Sequence, residues 1–84
     1  MAKRRVVVGG FEADRARDIA RRLRDGGAEV VLLGSDLDLD ALGHAVVAED
    51  ATEVVVGNES QADWLHEWLN EHGAGHVTVR PAGG

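Results

Sequence analysis

The feature that most constrains the fold is a repeat of short, β-branched apolar runs. The runs begin at Val6, Val30, Val54 and Val77, so that successive starts are 24, 24 and 23 residues apart. This spacing is typical of a repeated strand–helix unit, because parallel strands need a crossover connection, usually a helix. The first three runs are continuous, as in parallel strands covered on both faces, whereas residues 77–80 alternate and predict an edge strand.

Helical patterns lie between the runs. Residues 13–23 carry apolar side chains at helical spacing, and Gly26-Gly27 then supplies a C-terminal stop signal. Asp38 is predicted to cap a second helix, and Ser60-x-x-Asp63 resembles a capping box at the start of a third. We therefore predict one domain over residues 1–84 in the order β-α-β-α-β-α-β. Its class is α/β, an open parallel four-stranded sheet with helices on both faces.

Composition and charge narrow the classes of function. The chain is 44% hydrophobic and 29% charged and has no Cys, which is typical of a folded domain without disulfides or thiolate metal sites. Nine Lys and Arg against fifteen Asp and Glu give a net charge of -6, which disfavours nucleic acid and anionic lipid as partners. The basic start is followed only by the apolar residues Val6 to Val8, too few for a signal peptide or a membrane span. We predict a cytoplasmic protein that binds neither nucleic acid nor membrane.

Arginines concentrate on the first predicted helix. The run from Arg15 to Arg24 is interleaved with Asp14, Asp18 and Asp25 at helical spacing. Because residues three or four apart are neighbours on a helix, we predict a solvated face with intrahelical ion pairs.

Two stretches carry a likeness to a known family. They are "ARRLRDGGAEVVLLG" from Ala20 to Gly34 and "AVVAEDATEVVVG" from Ala45 to Gly57. Both resemble the cobalamin-binding domain of methylmalonyl-CoA mutases and related mutases and methyltransferases. The resemblance implies a flavodoxin-like, Rossmann-like three-layer sandwich with strand order 2-1-3-4. It also implies cobalamin as the ligand, held by loops at the C-terminal ends of the strands.

The chain departs from that family at the cobalt-binding motif. The family has an Asp-x-His-x-x-Gly motif after its first strand, whereas "GGFEADRAR" from Gly9 contains no histidine. The family's Ser-x-Leu after its third strand corresponds here to Asn58-Glu59-Ser60, and four strand-like runs stand where the family has five strands. The resemblance therefore implies a corrinoid bound base-on or with water as its lower ligand, or a different small molecule.

Glycine turns follow the first and third runs. Ligands of open α/β sheets bind beyond the carboxyl ends of the strands where the strand order reverses, which in the order 2-1-3-4 lies between strands one and three. The candidate binding residues are Gly9, Gly10, Phe11, Ser35, Gly57, Asn58 and Ser60. Glycines let a ligand approach the backbone, but Glu12 and Asp14 oppose a phosphate at the helix start. A small-molecule site and a purely structural turn both fit this pattern.

Other side chains do not predict chemistry. His72 and His76 are four residues apart, but glycines beside them interrupt the helix that would align their rings. His44 and His66 have no partnered nucleophile in the sequence. We predict no catalytic residues, no metal site and therefore no enzyme activity.

Trp64 and Trp68 lie four residues apart on the third predicted helix. They either widen its core face or contact a partner. In the order 2-1-3-4 the first helix alone covers one face of the sheet, which leaves part of strand three bare and strand four with an unpaired edge. We predict a homodimer through strand four or the neighbouring uncovered sheet face, with the tryptophans near the contact. The alternative to a small-molecule module is thus a structural or interaction domain, a minimal α/β unit that is truncated or engineered.

Overall fold

Strands and helices alternate along the chain. The structure is a computed structural model that describes residues 4–34 and 38–82. The elements are β1 (Arg5–Val8), α1 (Ala13–Asp25), β2 (Glu29–Leu32), α2 (Leu39–Ala48), β3 (Glu53–Val56), α3 (Glu59–Glu71) and β4 (Thr78–Pro81). The described strands form one parallel sheet in the order β2-β1-β3-β4. The predicted α/β class and strand order are confirmed, and the fold is compatible with a flavodoxin-like one.

The central strands β1 and β3 are buried on both faces. Val7 lies between Val31 of β2 and Val54 of β3 in the strand register. Val6, Val7 and Val8 have no exposed surface. Continuous β-branched runs are suited to this position, because helices exclude water from both faces of the sheet.

The sheet separates two apolar clusters. Successive side chains of a strand point to opposite faces, so Val7 packs with α2 and α3 whereas Val6 and Val8 pack with α1. The cluster on the α2–α3 side is the larger and contains the fully buried Leu42 and Leu65. α1 contacts β1 and β2. Ile19 and Leu23 of α1 also pack against the cluster that contains Val55 of β3. Within residues 4–34 and 38–82, α1 therefore covers β1 and β2 more closely than β3 and β4.

The two edge strands differ in how well they were predicted. β4 alternates as expected, with Val79 half-buried and Arg80 exposed. The prediction that β2 is covered on both faces is confirmed only in part. Val30 packs against the α1-side cluster and Val31 against the α2–α3-side cluster, but both are half-buried, and Leu32 of this other edge strand is 37% exposed. A continuous apolar run therefore predicts a strand here but not its position in the sheet.

The end of α1 and the start of α2 lie where the local sequence signals predict them, whereas the start of α3 does not. Gly26 and Gly27 end α1, and Gly27 has φ +93°, a left-handed conformation that glycine tolerates best. Asp38 caps α2, since its Oδ1 accepts a hydrogen bond from Ala41 N at 2.8 Å. The start of α3 differs from the prediction and bears on the candidate site.

Candidate functional site

The turns after β1 and β3 meet at the carboxyl ends of the strands. Gly9 N donates a hydrogen bond to the Val55 carbonyl oxygen at 3.2 Å, which extends the β1–β3 pairing into the first turn. A Cβ atom built on Gly57 would lie 3.4 Å from the Gly10 carbonyl oxygen. The two glycine turns therefore lie side by side where the strand order reverses, as the sequence predicts.

The glycines of this crevice are explained by the protein's own packing. Gly10 has φ +82°, a conformation that L side chains rarely adopt. A Cβ atom on Gly9 would approach Leu42 Cδ1 to 2.8 Å. A Cβ atom on Gly57 would approach Gln61 Oε1 to 3.0 Å. None of the three glycines needs a ligand to account for its presence.

Gln61 fills the space between the two turns, and the sequence analysis missed this residue. Its Oε1 accepts a hydrogen bond from Gly57 N at 2.9 Å and lies 3.5 Å from the position of a Cβ atom on Gly10. A side chain of the protein thus occupies the place expected for a ligand. The sequence does carry a signal for this contact. Gln61 is the third residue after Asn58, and the Glu or Gln at that position of a capping box reaches back toward the preceding backbone.

Asn58 and Ser60 do not have the predicted surroundings. Asn58 is the N-cap of α3, and its Oδ1 accepts a hydrogen bond from Gln61 N at 2.9 Å. α3 begins at Glu59, so Ser60 lies exposed in the first turn and the capping box predicted from Ser60 is wrong. Asn58 is the cap because its extended backbone lets a short side chain reach the third amide of the helix.

Phe11 lines a cavity beside the crevice. Phe11 is only 5% exposed and belongs to the α1-side cluster, and the Arg15 guanidinium lies 5.5 Å from its ring centroid. A cavity of about 460 Å³ separates the first turn of α1 from the end of β2. Its lining residues are Phe11, Ala13, Ala16, Arg17, Leu32, Leu33 and Gly34. Ser35, the remaining predicted site residue, lies outside the described residues.

A charged network lies on the α1 side of β3 and β4. Glu53 forms ion pairs with Arg4, at 2.6 Å between Oε2 and Nη2, and with Arg80 of β4. Burial raises the pKa of Glu53, but the hydrogen bonds and charges of the two arginines outweigh it and hold the pKa below its ordinary value of 4.5. The network therefore links β3 to β4 and to Arg4, which precedes β1, on the α1 side of the sheet.

The same face forms an open groove between α1 and β4. Its volume is about 450 Å³. The apolar floor consists of Ile19, Leu23, Val55 and Ala82, and the rim of Arg15, Asp18, Arg22, Arg80 and Pro81. β3 is less bare than the strand order predicts, because Val55 is only 9% exposed, and the open part of this face is a groove with arginines on its rim.

The two tryptophans have different environments. Trp68 is 8% exposed, its Nε1 donates a hydrogen bond to Asp40 Oδ1 at 2.9 Å, and its ring stacks on His72 with centroids 3.6 Å apart. A Cβ atom on Gly43 would lie 2.6 Å from Trp68, so this glycine lets the indole pack against α2. Trp64 is 44% exposed. Trp68 therefore widens the core, and contact of Trp64 with a partner stays a prediction.

Comparison with known proteins adds no family. No protein-family model matches the chain, and no curated protein matches it. The cobalamin-domain resemblance therefore has no family match behind it. The class that the fold defines is a small α/β domain with a parallel sheet, compatible with a flavodoxin-like arrangement.

Within residues 4–34 and 38–82, no three His, Asp or Glu side chains are grouped so that they could hold a metal ion. No helix in the described part of the chain is long and apolar enough to cross a membrane.

Proposed function

We propose that the chain is a non-catalytic interaction domain that associates with a second copy through the groove between α1 and β4. The groove of about 450 Å³ with an apolar floor is the observation that carries this proposal. Parallel sheets are normally covered by helices on both faces, so an apolar groove left between α1 and β4 favours a partner.

The free edge of β4 is poorly suited to pairing with a strand of a second copy. This favours association through the groove instead. Thr78 N donates a hydrogen bond to the Thr52 carbonyl oxygen and Ala82 N to the Val56 carbonyl oxygen, so the backbone groups of Val79 and Pro81 face away from β3 by alternation. Pro81 has no N–H, and a proline on a short edge strand is one of the features that prevent strand addition. Association through the β4 edge is therefore the weaker of the two predicted routes.

Light scattering during gel filtration, from micromolar to millimolar protein, tests the proposal. We expect the molar mass to rise from that of one chain to twice that value or more as concentration increases. Ala82→Glu, which places a charge in the groove, should weaken this association. Leu32→Glu, at an exposed position outside the groove, is the matched control and should not. A monomer at every concentration contradicts the proposal.

A small-molecule function is the second candidate, and a different observation favours it. The cavity beside Phe11 has a volume of about 460 Å³, within the usual size of ligand pockets, and Leu32 and Leu33 give it apolar walls. Cobalamin, with water or its own base as the lower ligand, is the ligand that the resemblance implies. On this hypothesis only the nucleotide tail of the corrinoid would lie in the cavity beside β2, and not between β1 and β3, where Gln61 stands.

Absorbance titration with hydroxocobalamin and adenosylcobalamin, followed by gel filtration, tests this second function. If a corrinoid binds, its colour travels with the protein and its spectrum identifies the lower ligand. Ala13→Trp, at an exposed position on the cavity wall, should then abolish retention, while Gln61→Ala should not. No retained colour from protein shown to be folded rules the corrinoid out.

A further inference from the structure

Charge is divided between the two faces of the molecule. α1 carries five arginines against three aspartates, and the arginines are Arg15, Arg17, Arg21, Arg22 and Arg24. Residues 38–71, which include α2 and α3, contain no Lys or Arg. Their exposed or half-buried acidic residues on the two helices and caps are Asp38, Asp40, Glu49, Glu59, Asp63, Glu67 and Glu71. Because the sheet separates α1 from α2 and α3, the molecule has a basic face and an acidic face.

The basic face contains the groove. Arg15 and Arg22 of α1 stand on its rim, and Arg80 of β4 stands opposite them. Arg15 makes no ion pair with any residue that the structure describes, and Arg22 pairs with Asp18 at 3.5 Å where both side chains are largely solvated. The groove therefore offers apolar surface below and cationic groups with unused hydrogen-bonding capacity above.

The acidic face carries a protruding aromatic side chain. Trp64 is 44% exposed on α3, and it lies on the same side of the helix as Glu67 and Glu71, three and seven residues further on. Together with Trp68 these residues border a shallow depression of about 170 Å³. An exposed indole flanked by carboxylates is complementary to an apolar groove flanked by arginines.

We infer that Trp64 of one copy inserts into the α1–β4 groove of a second copy, with Glu67 and Glu71 facing Arg15 and Arg22. This inference rests on the proposed self-association and specifies its two surfaces. A buried indole supplies the apolar contact, and the charges fix its orientation and speed its formation. Because the two surfaces differ, the contact is head-to-tail, and each copy in a pair still has one free surface. Association therefore continues into rings or open chains.

A charge exchange tests the inference. Arg15→Glu with Arg22→Glu gives a chain with two acidic faces, and Glu67→Arg with Glu71→Arg gives a chain with two basic ones. Each should self-associate about tenfold or more weakly than the original chain, and an equal mixture of the two should recover association. Arg21→Glu with Arg24→Glu makes the same charge change on α1 outside the groove and is the control, expected to change the affinity little.

Trp64→Ala and salt provide independent measurements by sedimentation equilibrium. The truncation should weaken association by about thirtyfold, as for a central aromatic anchor. Raising salt should weaken it as well, because exposed charges are screened over about 10 Å at 0.1 M ionic strength. Circular dichroism checks that each variant is folded.

The outcomes separate the two claims. Recovery of association in the mixture, with loss in each variant alone, supports the head-to-tail contact. Association that persists in both charge variants and in Trp64→Ala overturns the inference while the proposed self-association stands. An original chain that is monomeric at millimolar concentration, without added salt, overturns both.

Discussion

The crevice between β1 and β3 is filled by a side chain of the protein, whereas the groove between α1 and β4 is open. In the crevice, where open α/β sheets hold their ligands, Gln61 closes the space with a hydrogen bond to Gly57 N. In the groove between α1 and β4, the half-buried Ile19 and Leu23 keep apolar surface available to a partner. The difference teaches that topology places a crevice but side chains decide whether it is available.

Truncating valines on the two faces of β3 gives the largest effect on stability. Val54 is fully buried on the α2–α3 side, whereas Val55 lies on the groove floor. We expect Val54→Ala to lower the free energy of unfolding by about 2 kcal/mol and Val55→Ala by slightly less, because Val55 keeps 9% of its surface exposed. Urea denaturation at micromolar protein measures both. Equal losses would mean that the groove side is packed as closely as the covered side.

Gly10→Ala tests whether backbone geometry determines the crevice. The φ of +82° costs an L side chain about 1–2 kcal/mol, so the free energy of unfolding should fall by that amount. Gly10→Asn is the control, because asparagine tolerates this conformation better and should cost less. Thermal and urea unfolding of the pair measure the difference. A loss no larger for alanine than for asparagine would show that crowding, rather than φ, dominates at this position.

Gln61→Ala opens the crevice. It leaves Gly57 N without its hydrogen bond, which should cost about 1 kcal/mol of stability. Gln61→Glu keeps an acceptor at the same place and puts a negative charge in the first turn of α3, so its stability should stay near that of the original chain. Hydrogen exchange of the Gly57 amide reports the change directly. Unchanged exchange in Gln61→Ala would mean that water replaces the side chain fully.

Lowering the pH should weaken the ion pairs of Glu53 with Arg4 and Arg80. Of the four predicted effects on stability, this one should be the smallest. The pKa of Glu53 is lower in the folded chain than its ordinary value of 4.5, so its contribution to stability is present above pH 4.5 and is lost as pH falls through the folded pKa. The arginine partners are about half exposed, which limits the contribution to about 1 kcal/mol or less. Glu53→Gln should therefore lose less stability between neutral and acid pH than the original chain does. Parallel pH profiles of the two chains would contradict this role for Glu53.

The fold was largely predictable because it is encoded in local periodicity. Continuous valine runs gave β1 and β3, and Asp38 marked the start of α2 through a hydrogen bond that needs only neighbouring residues. The strand order followed from the resemblance together with the rules for parallel crossovers. The exposure of β2 was not predictable from its run, since burial depends on which strands and helices lie beside it.

The site was predictable only in outline. The meeting of the two glycine turns follows from topology, but its closure by Gln61 depends on a fit between turns that are distant in sequence. Likewise, helical spacing predicts similar positions for Trp64 and Trp68 on α3. Their different burial arises because α2 packs against Trp68 and not against Trp64. Gly43 leaves space for the indole of Trp68 against α2, whereas Trp64 lies outside the described core and is exposed.

That separation provides two optical reporters in one small chain. Trp68 is clamped by Asp40 and stacked on His72, so its near-ultraviolet circular dichroism should vanish only when the tertiary structure is lost. Trp64 faces solvent, so its emission should shift to shorter wavelength when another molecule covers it. Folding and association could therefore be followed in the same sample, folding through Trp68 and association through Trp64.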